Sequence, residues 1–199
     1  MPNWCNNNLL VEGNLDALTD FKKKTLVLNE DTKELGFTME GIYPTPKPLL
    51  EQTSPVMWRG ELHDEEGQKA FEEHIKSLKE RFGHEDWYGW RIANWGTKWD
   101  VCDADVHYAT TTRLVVEFNT AWAPPEKFYE TLGALGFTVH ALYNEFGSGF
   151  CGIFTNDSTT ADGTCYVEYH QMMTDEERSQ HIPSVLLETF HINEMCNDE

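Results

Sequence analysis

The sequence predicts an α+β fold: a mostly antiparallel sheet with helices on one face, plus an inserted helix and a C-terminal helical extension. Three observations predict it. Runs such as 113–120 alternate apolar and polar residues, as half-buried strands do. Stretches with helical spacing, above all 64–82, stand apart from consecutive strand candidates instead of alternating with them one for one. The chain of 199 residues is 40% hydrophobic and 13% aromatic, enough for a sizeable core and too much for wholesale disorder.

The opening residues 7–13 read as a short strand ended by Gly13, and Asn14 can cap a helix over about 15–28 with Leu15, Leu18 and Phe21 along one face. Residues 37–43 alternate loosely and predict a second strand. Pro44, Pro46 and Pro48 end it, because proline removes a donor and fixes the backbone. Over 64–82, Phe71, Ile75, Leu78 and Phe82 form one stripe; Asp64, Glu65 and Glu66 crowd the first turn and Lys79 and Arg81 the last, as the helix dipole prefers. Gly83 stops this helix. Strands are expected at about 104–109 and 113–120. A helix then opens with Pro124 and Pro125 in its first turn, buries Phe128, Leu132 and Leu135, and ends at Gly136.

Residues 138–146 and 150–155 read as a hairpin around Gly147-Ser148-Gly149. A polar loop at 156–163 precedes a strand at 164–170. Thr174-Asp175-Glu176-Glu177 matches a capping box, so a helix begins there, is interrupted by Pro183 and restarts at 185–190. The split β-α-β order is that of a ferredoxin-like sandwich over residues 1–171, with a helical insertion at about 55–92 and an acidic helical extension over 172–199.

Charge narrows the function classes. The net charge is −19, and residues 128–199 hold 12 acids against Arg178 alone, a balance of −11. Duplex DNA needs clustered Lys and Arg, so direct binding to it is not expected. A basic partner is favoured, since opposite fields steer encounter. No apolar run is long enough to cross a bilayer, and no secretory signal opens the chain, so a cytoplasmic location is expected. Cys5, Cys102, Cys151, Cys165 and Cys196 are odd in number and contain no Cys-x-x-Cys pair, which argues against a disulfide framework and a zinc ribbon. The histidines (63, 74, 84, 107, 140, 170, 181 and 191) show no ligand spacing, so no metal is expected, and no phosphate loop or dinucleotide fingerprint predicts a cofactor.

The most distinctive segment is aromatic. Trp87, Trp90, Trp95 and Trp99 fall within thirteen residues, and the last two bracket Asn94-Trp95-Gly96-Thr97-Lys98-Trp99-Asp100. Three further islands accompany it: Asn3-Trp4-Cys5 with Asn7 and Leu9, the run 118–125 from Phe118 to Pro125, and Tyr143-Asn144-Glu145-Phe146-Gly147 with Phe150 and Gly152. Together they resemble the YubB-type ferredoxin-like domain family of phage and plasmid proteins, over roughly residues 1–155. The resemblance implies a ferredoxin-like topology and a mobile-element origin; it carries no catalytic residue across. The name denotes a topology, and the cysteine spacing lacks the usual iron–sulfur pattern.

Within the aromatic segment, Asn94, Lys98 and Asp100 are the candidates for chemistry. Gly96 allows a sharp turn or a close approach. Lys98, between tryptophans, suits a cation–π clamp, and Asp100 is placed to pair with it. The competing reading is a hydrogen-bonded corner pinned by indole N–H groups and an Asx turn. Trp122-Ala123-Pro124-Pro125 reads as a strand end packed on a helix start, or as an exposed docking patch. Tyr143 and Glu145 share a strand face, with Glu145 read as a loop-capping or solvated carboxylate more than a general base. The binding candidates are thus Trp95, Lys98, Trp99, Asp100, Trp122, Tyr143 and Glu145. Asp157, Asp162, Glu168, Asp175, Glu176, Glu177 and Glu188 make up the expected acidic surface.

Three functions fit these readings. The first is a non-enzymatic acidic protein of a phage or plasmid that engages a basic host protein, such as a nucleic-acid-handling or defence enzyme, by presenting carboxylates in place of phosphates. The second is a single-stranded nucleic-acid binder that stacks bases on Tyr143, Phe150 and the tryptophan loop. The third is an enzyme built on Lys98 and Asp100, ranked last because no nucleophile, base and orienting group can be assembled from the chain.

Overall fold

The computed structural model describes residues 3–28, 30, 33–60 and 64–197. In chain order the elements are β1 (Trp4–Glu12), α1 (Leu15–Thr25), β2 (Leu26–Leu28), β3 (Leu35–Phe37), α2 (Lys47–Leu50), α3 (Glu65–Phe82), α4 (Trp87–Asn94), β4 (Cys102–Ala109), β5 (Arg113–Ala121), α5 (Glu126–Ala134), β6 (Thr138–Glu145), β7 (Phe150–Thr155), β8 (Cys165–Glu168), α6 (Asp175–His181), α7 (Ser184–Thr189) and α8 (Ile192–Asn197). Six strands form one sheet in the order β4-β5-β1-β6-β7-β8, each neighbouring pair antiparallel. The four strands β4-β5-β1-β6, with α1 and α5 as crossovers, have the ferredoxin-like order. The remaining two extend the sheet past β6.

Side-chain alternation sorts residues to the two faces. Leu9, Val11, Leu114, Val116, Val139 and Ala141 are fully buried on one face, against Leu18 and Phe21 of α1 and Phe128 and Leu132 of α5. Burial of each of these leucines, valines and phenylalanines stabilises the fold by roughly 1.5–3 kcal/mol relative to exposure. The opposite face is divided. Over β6, β7 and β8, Leu142, Cys151 and Ile153 pack with Tyr169 and with Ile182, Leu186 and Ile192 from the C-terminal helices. Over β4, β5 and β1 the face stays open, and its residues Asn6, Arg113 and Glu117 are exposed.

Local signals account for the elements that match expectation. The Asn14 side chain accepts from Ala17 N at 2.9 Å, Asp64 caps α3 and Gly83 ends it at φ 76°. Thr174 and Glu177 form the expected capping box, and Pro183 separates α6 from α7. Several boundaries differ. The helix expected to reach 28 stops at Thr25, because residues 26–28 pair as a ribbon with β3. The strand expected over 37–43 shortens to Leu35–Phe37; the chain then turns, with Ile42 N and Tyr43 N both donating to Met39 O at 3.0 Å. The insertion expected at about 55–92 is larger, since β2, β3 and α2–α4 all lie between α1 and β4. The helices α2, α4 and α8 were not expected. His63 lies outside the described residues. Among those described, no helix is long and apolar enough to cross a membrane.

Candidate functional site

The tryptophan segment has an inner and an outer side. On the inner side Trp95 is fully buried, and its Nε1 donates to Tyr43 O at 2.9 Å. Thr97, also buried, donates through Oγ1 to Ala121 O at 3.0 Å. Trp95 O accepts from Phe128 N at 3.2 Å, which ties the loop to the first turn of α5. Gly96 makes this docking possible. Its φ is 92°, and an added Cβ would stand 3.0 Å from Glu126 N and 3.2 Å from Pro124 O. Both expectations for Gly96, the turn and the close approach, therefore hold at once.

Beneath the loop lies a polar network that the sequence did not announce. Arg91 stacks over Trp95 at 4.7 Å and Trp87 at 5.3 Å. It also donates to Glu40 Oε1 at 2.8 Å and Thr45 Oγ1 at 3.0 Å, while Glu40 accepts from Thr45 N and Oγ1, each at 2.7 Å. The cation–π clamp forecast for this region thus recurs beneath the loop, on Arg91.

On the outer side stands Lys98. Its Nζ lies 4.6 Å from the Trp99 ring centre, 4.8 Å from Trp122 and 5.7 Å from Tyr88. The expected clamp exists, but Trp122 and Tyr88 supply the walls that Trp95 was expected to share. Trp122 is 46% exposed and holds φ 68°, uncommon for a bulky residue, while Pro124 and Pro125 behind it are buried. The strand end therefore packs as one reading foresaw, and its tryptophan projects outward as the other did. Trp99 leans on Trp4 at 6.3 Å.

The expected Lys98–Asp100 pair does not form. Asp100 accepts from Thr38 Oγ1 and, at 2.9 Å each, from Met39 N and Val101 N, so it anchors the turn after β3. Asn94 donates to Trp90 O at 2.8 Å and accepts from Tyr43 OH at 2.9 Å. The three candidates for chemistry thus serve three separate sets of partners. Loop residues follow no fixed period, so neighbours in sequence need not converge.

Tyr143 and Glu145 do share a face, beneath the start of α5, and both are buried. The Tyr143 hydroxyl donates to Glu126 Oε1 at 2.9 Å, and burial followed by that carboxylate pushes its phenol far above the usual range. Glu145 accepts from Gly147 N at 2.9 Å and Ser148 N at 2.7 Å, which makes it the cap of the β6–β7 turn. Neither offers itself to a ligand on the open face. Phe150 stacks on Tyr166 at 5.5 Å, on the same side of the sheet as Tyr143.

The acidic candidates separate along the sheet. Asp157 and Asp162 occupy the β7–β8 loop, where Asp157 accepts from Thr159 N and Oγ1 and its carboxyl is held below the usual range. Glu168 and the α6 acids Asp175, Glu176 and Glu177 follow the other end of β8; Asp175 pairs with the buried Arg178, and Glu177 is spent in the capping box. Glu188 lies exposed on α7.

A second acidic set was missed. On the open half of the sheet, Asn6 donates to Asn119 Oδ1 at 2.6 Å, Asn8 to Glu117 Oε1 at 2.7 Å and Asn119 to Asp103 Oδ2 at 3.3 Å. His107 Nε2 lies 2.8 Å from Glu117, a contact that raises its pKa. Asn6, Asp103, Asp105, Glu117 and Asn119, with the wall Thr189-Phe190-His191, border a polar groove of about 370 Å3, and His107 stands beside it on Glu117. The signal was available: alternation that sends Leu9 and Val11 inward sends Asn6 and Asn8 to the opposite face. Among the described residues no group of three or more His, Cys, Asp or Glu is arranged to hold a metal.

No protein-family model matches the chain, and no curated protein does. Among solved structures it is similar to the crystal structure of a protein api92 from Yersinia pseudotuberculosis, of the family DUF1281. The TM-score is 0.46 at 10% identity, over 85% of this chain and 99% of that one.

Proposed function

We propose that this protein is a non-enzymatic binding protein whose acidic surface engages a basic partner protein. One observation carries the reading. The half of the sheet left open by the C-terminal helices is lined by Asp103, Asp105 and Glu117 among asparagine amides. Aromatic rings stand only at the margins of that floor, Trp4 at the start of β1 leaning on Trp99 and Tyr108 on the edge strand β4; between them the outward positions are Asn6, Asn8, Leu10 and Glu12 on β1 and Arg113, Val115, Glu117 and Asn119 on β5. Carboxylates and amide oxygens accept hydrogen bonds from Lys and Arg, and the carboxylates repel a phosphodiester backbone. A single-stranded nucleic acid would instead need stacking faces on this floor. The exposed acids of α6 and α7 add to the same field. A phage or plasmid origin, with a host protein as partner in the cytoplasm, belongs to this proposal; cysteines that form no disulfide among the described residues suit a reducing compartment.

The test is calorimetric titration with an arginine-rich peptide and, in parallel, with a single-stranded oligonucleotide. The peptide is expected to bind with an affinity that falls steeply as salt rises. Asp103→Asn, Asp105→Asn and Glu117→Gln combined are expected to weaken it by about tenfold or more. Oligonucleotide binding, or peptide binding indifferent to those three substitutions, would overturn the reading.

A further inference from the structure

Lys98 is enclosed by three aromatic rings, an arrangement unlike that of the ion-paired cations among the described residues. Lys24, Lys79, Arg91, Arg113 and Lys127 each face a carboxylate. Lys98 faces aromatic rings, and among the described residues none accepts a hydrogen bond from it or places a carboxylate within 4 Å. Ring faces hold an ammonium through their quadrupole and leave its three N–H donors unspent. The result is a localised positive charge with free donors, in a protein of net charge −19.

That charge borders a cavity of about 380 Å3 lined by Ser54, Trp87, Tyr88, Lys98 and Trp99. The Ser54 hydroxyl also has no protein partner among the described residues. Trp122, on the other flank of Lys98, is half exposed and held outward by a backbone conformation that favours glycine. A bulky side chain kept at positive φ stores strain, and such strain persists where the surroundings enforce it. The site thus offers a lysine and a hydroxyl for an anionic group, and flat apolar walls for a ring. Its volume falls in the range of small-molecule sites.

We infer that this enclosure binds a mononucleotide, with its phosphate on Lys98 and Ser54 and its base against the tryptophans. A free mononucleotide fits better than a polynucleotide, because the remaining surface is acidic and would repel each further phosphate. The site is separate from the Asp103–Glu117 groove, and neither proposal depends on the other.

The experiment is calorimetric titration of the whole protein with AMP, adenosine, inorganic phosphate and a 5′-phosphorylated oligothymidylate. AMP is expected to bind, with adenosine and phosphate each weaker by about tenfold or more, since each keeps only half of the contacts. Lys98→Gln and Trp122→Gly are each expected to weaken AMP by at least about tenfold while circular dichroism shows the fold retained. Trp122→Gly is informative because glycine suits the local backbone, so a loss of binding there reports the missing ring. No AMP binding by the unaltered protein, or binding that survives both substitutions, overturns the inference. Phosphate alone binding as well as AMP removes the role of the aromatic walls. An oligonucleotide that binds more tightly than AMP overturns the assignment to a free nucleotide.

Discussion

Asp100 and Lys98 are two residues apart and do unrelated work. Asp100 ties Thr38, Met39 and Val101 to one carboxylate, whereas Lys98 rests on π faces. Hydrogen bonds to a charged acceptor contribute about 1.5–3 kcal/mol each, and removing the carboxylate strands two backbone donors. Asp100→Ala is therefore expected to destabilise the protein by about 2–4 kcal/mol in urea titrations. Lys98→Met keeps the apolar stem and loses only a partly solvated cation–π contact, a cost of about 1 kcal/mol or less. The double substitution should show a coupling under about 0.5 kcal/mol, and a coupling near 1–2 kcal/mol would restore the ion pair that the spacing suggested. The sequence made the residue types of this loop legible without their directions. Trp95 finds its acceptor 52 residues away, at Tyr43, and Lys98 finds a wall at Trp122. No local period encodes such pairings.

Elements with strong local signals were legible: α3 carries an acidic cap, a stripe and a terminal glycine, and the capping box and proline fix α6 and α7. Those decided by tertiary partners were not. The helix α4 contains two tryptophans, a tyrosine and a glycine, poor helix formers in isolation. It forms because Asp86 caps Gly89 N at 2.8 Å and Trp90 is buried between Tyr43 and Trp95. Likewise β2 is helical by spacing and becomes a strand because β3 lies beside it. The junction of the tryptophan loop with α5 supplies a test at this scale. Gly96 and Gly136 have nearly the same φ, 92° and 89°, but a Cβ at Gly96 meets backbone whereas one at Gly136 meets nothing within 4 Å. Alanine at Gly136 should cost about 1–2 kcal/mol from conformation alone. Alanine at Gly96 should cost more, by about 1–3 kcal/mol, because the loop and the helix start must part. Equal losses in thermal melts would mean that the loop is not wedged against α5.

For the whole molecule, the acidic balance was legible in the sequence but its location was not. Several of the predicted acids are occupied by caps and an ion pair, and the coherent groove comes instead from β4 and β5, whose acids belong to the less acidic part of the chain. A titrating group stands beside that groove, against two of its carboxylates. His107 has a raised pKa through its hydrogen bond to Glu117, then through the charges of Glu117 and Asp105. Its contribution to stability is fully present below about pH 6.5, the unfolded value, and is lost as pH rises through the higher folded value. The side chain is 44% exposed, so the effect is of surface-pair size, about 0.2–1 kcal/mol. Binding of a basic peptide should run the opposite way, because losing the His107 proton leaves Glu117, Asp105 and Asp103 uncompensated. Between pH 6 and pH 8 the protein should therefore melt slightly lower while an arginine-rich peptide binds roughly two- to fivefold tighter. His107→Gln should abolish both trends, whereas His191→Gln, on the far wall of the groove, tests whether the second histidine contributes. Stability and affinity that move in the same direction with pH would place the partner somewhere other than this face.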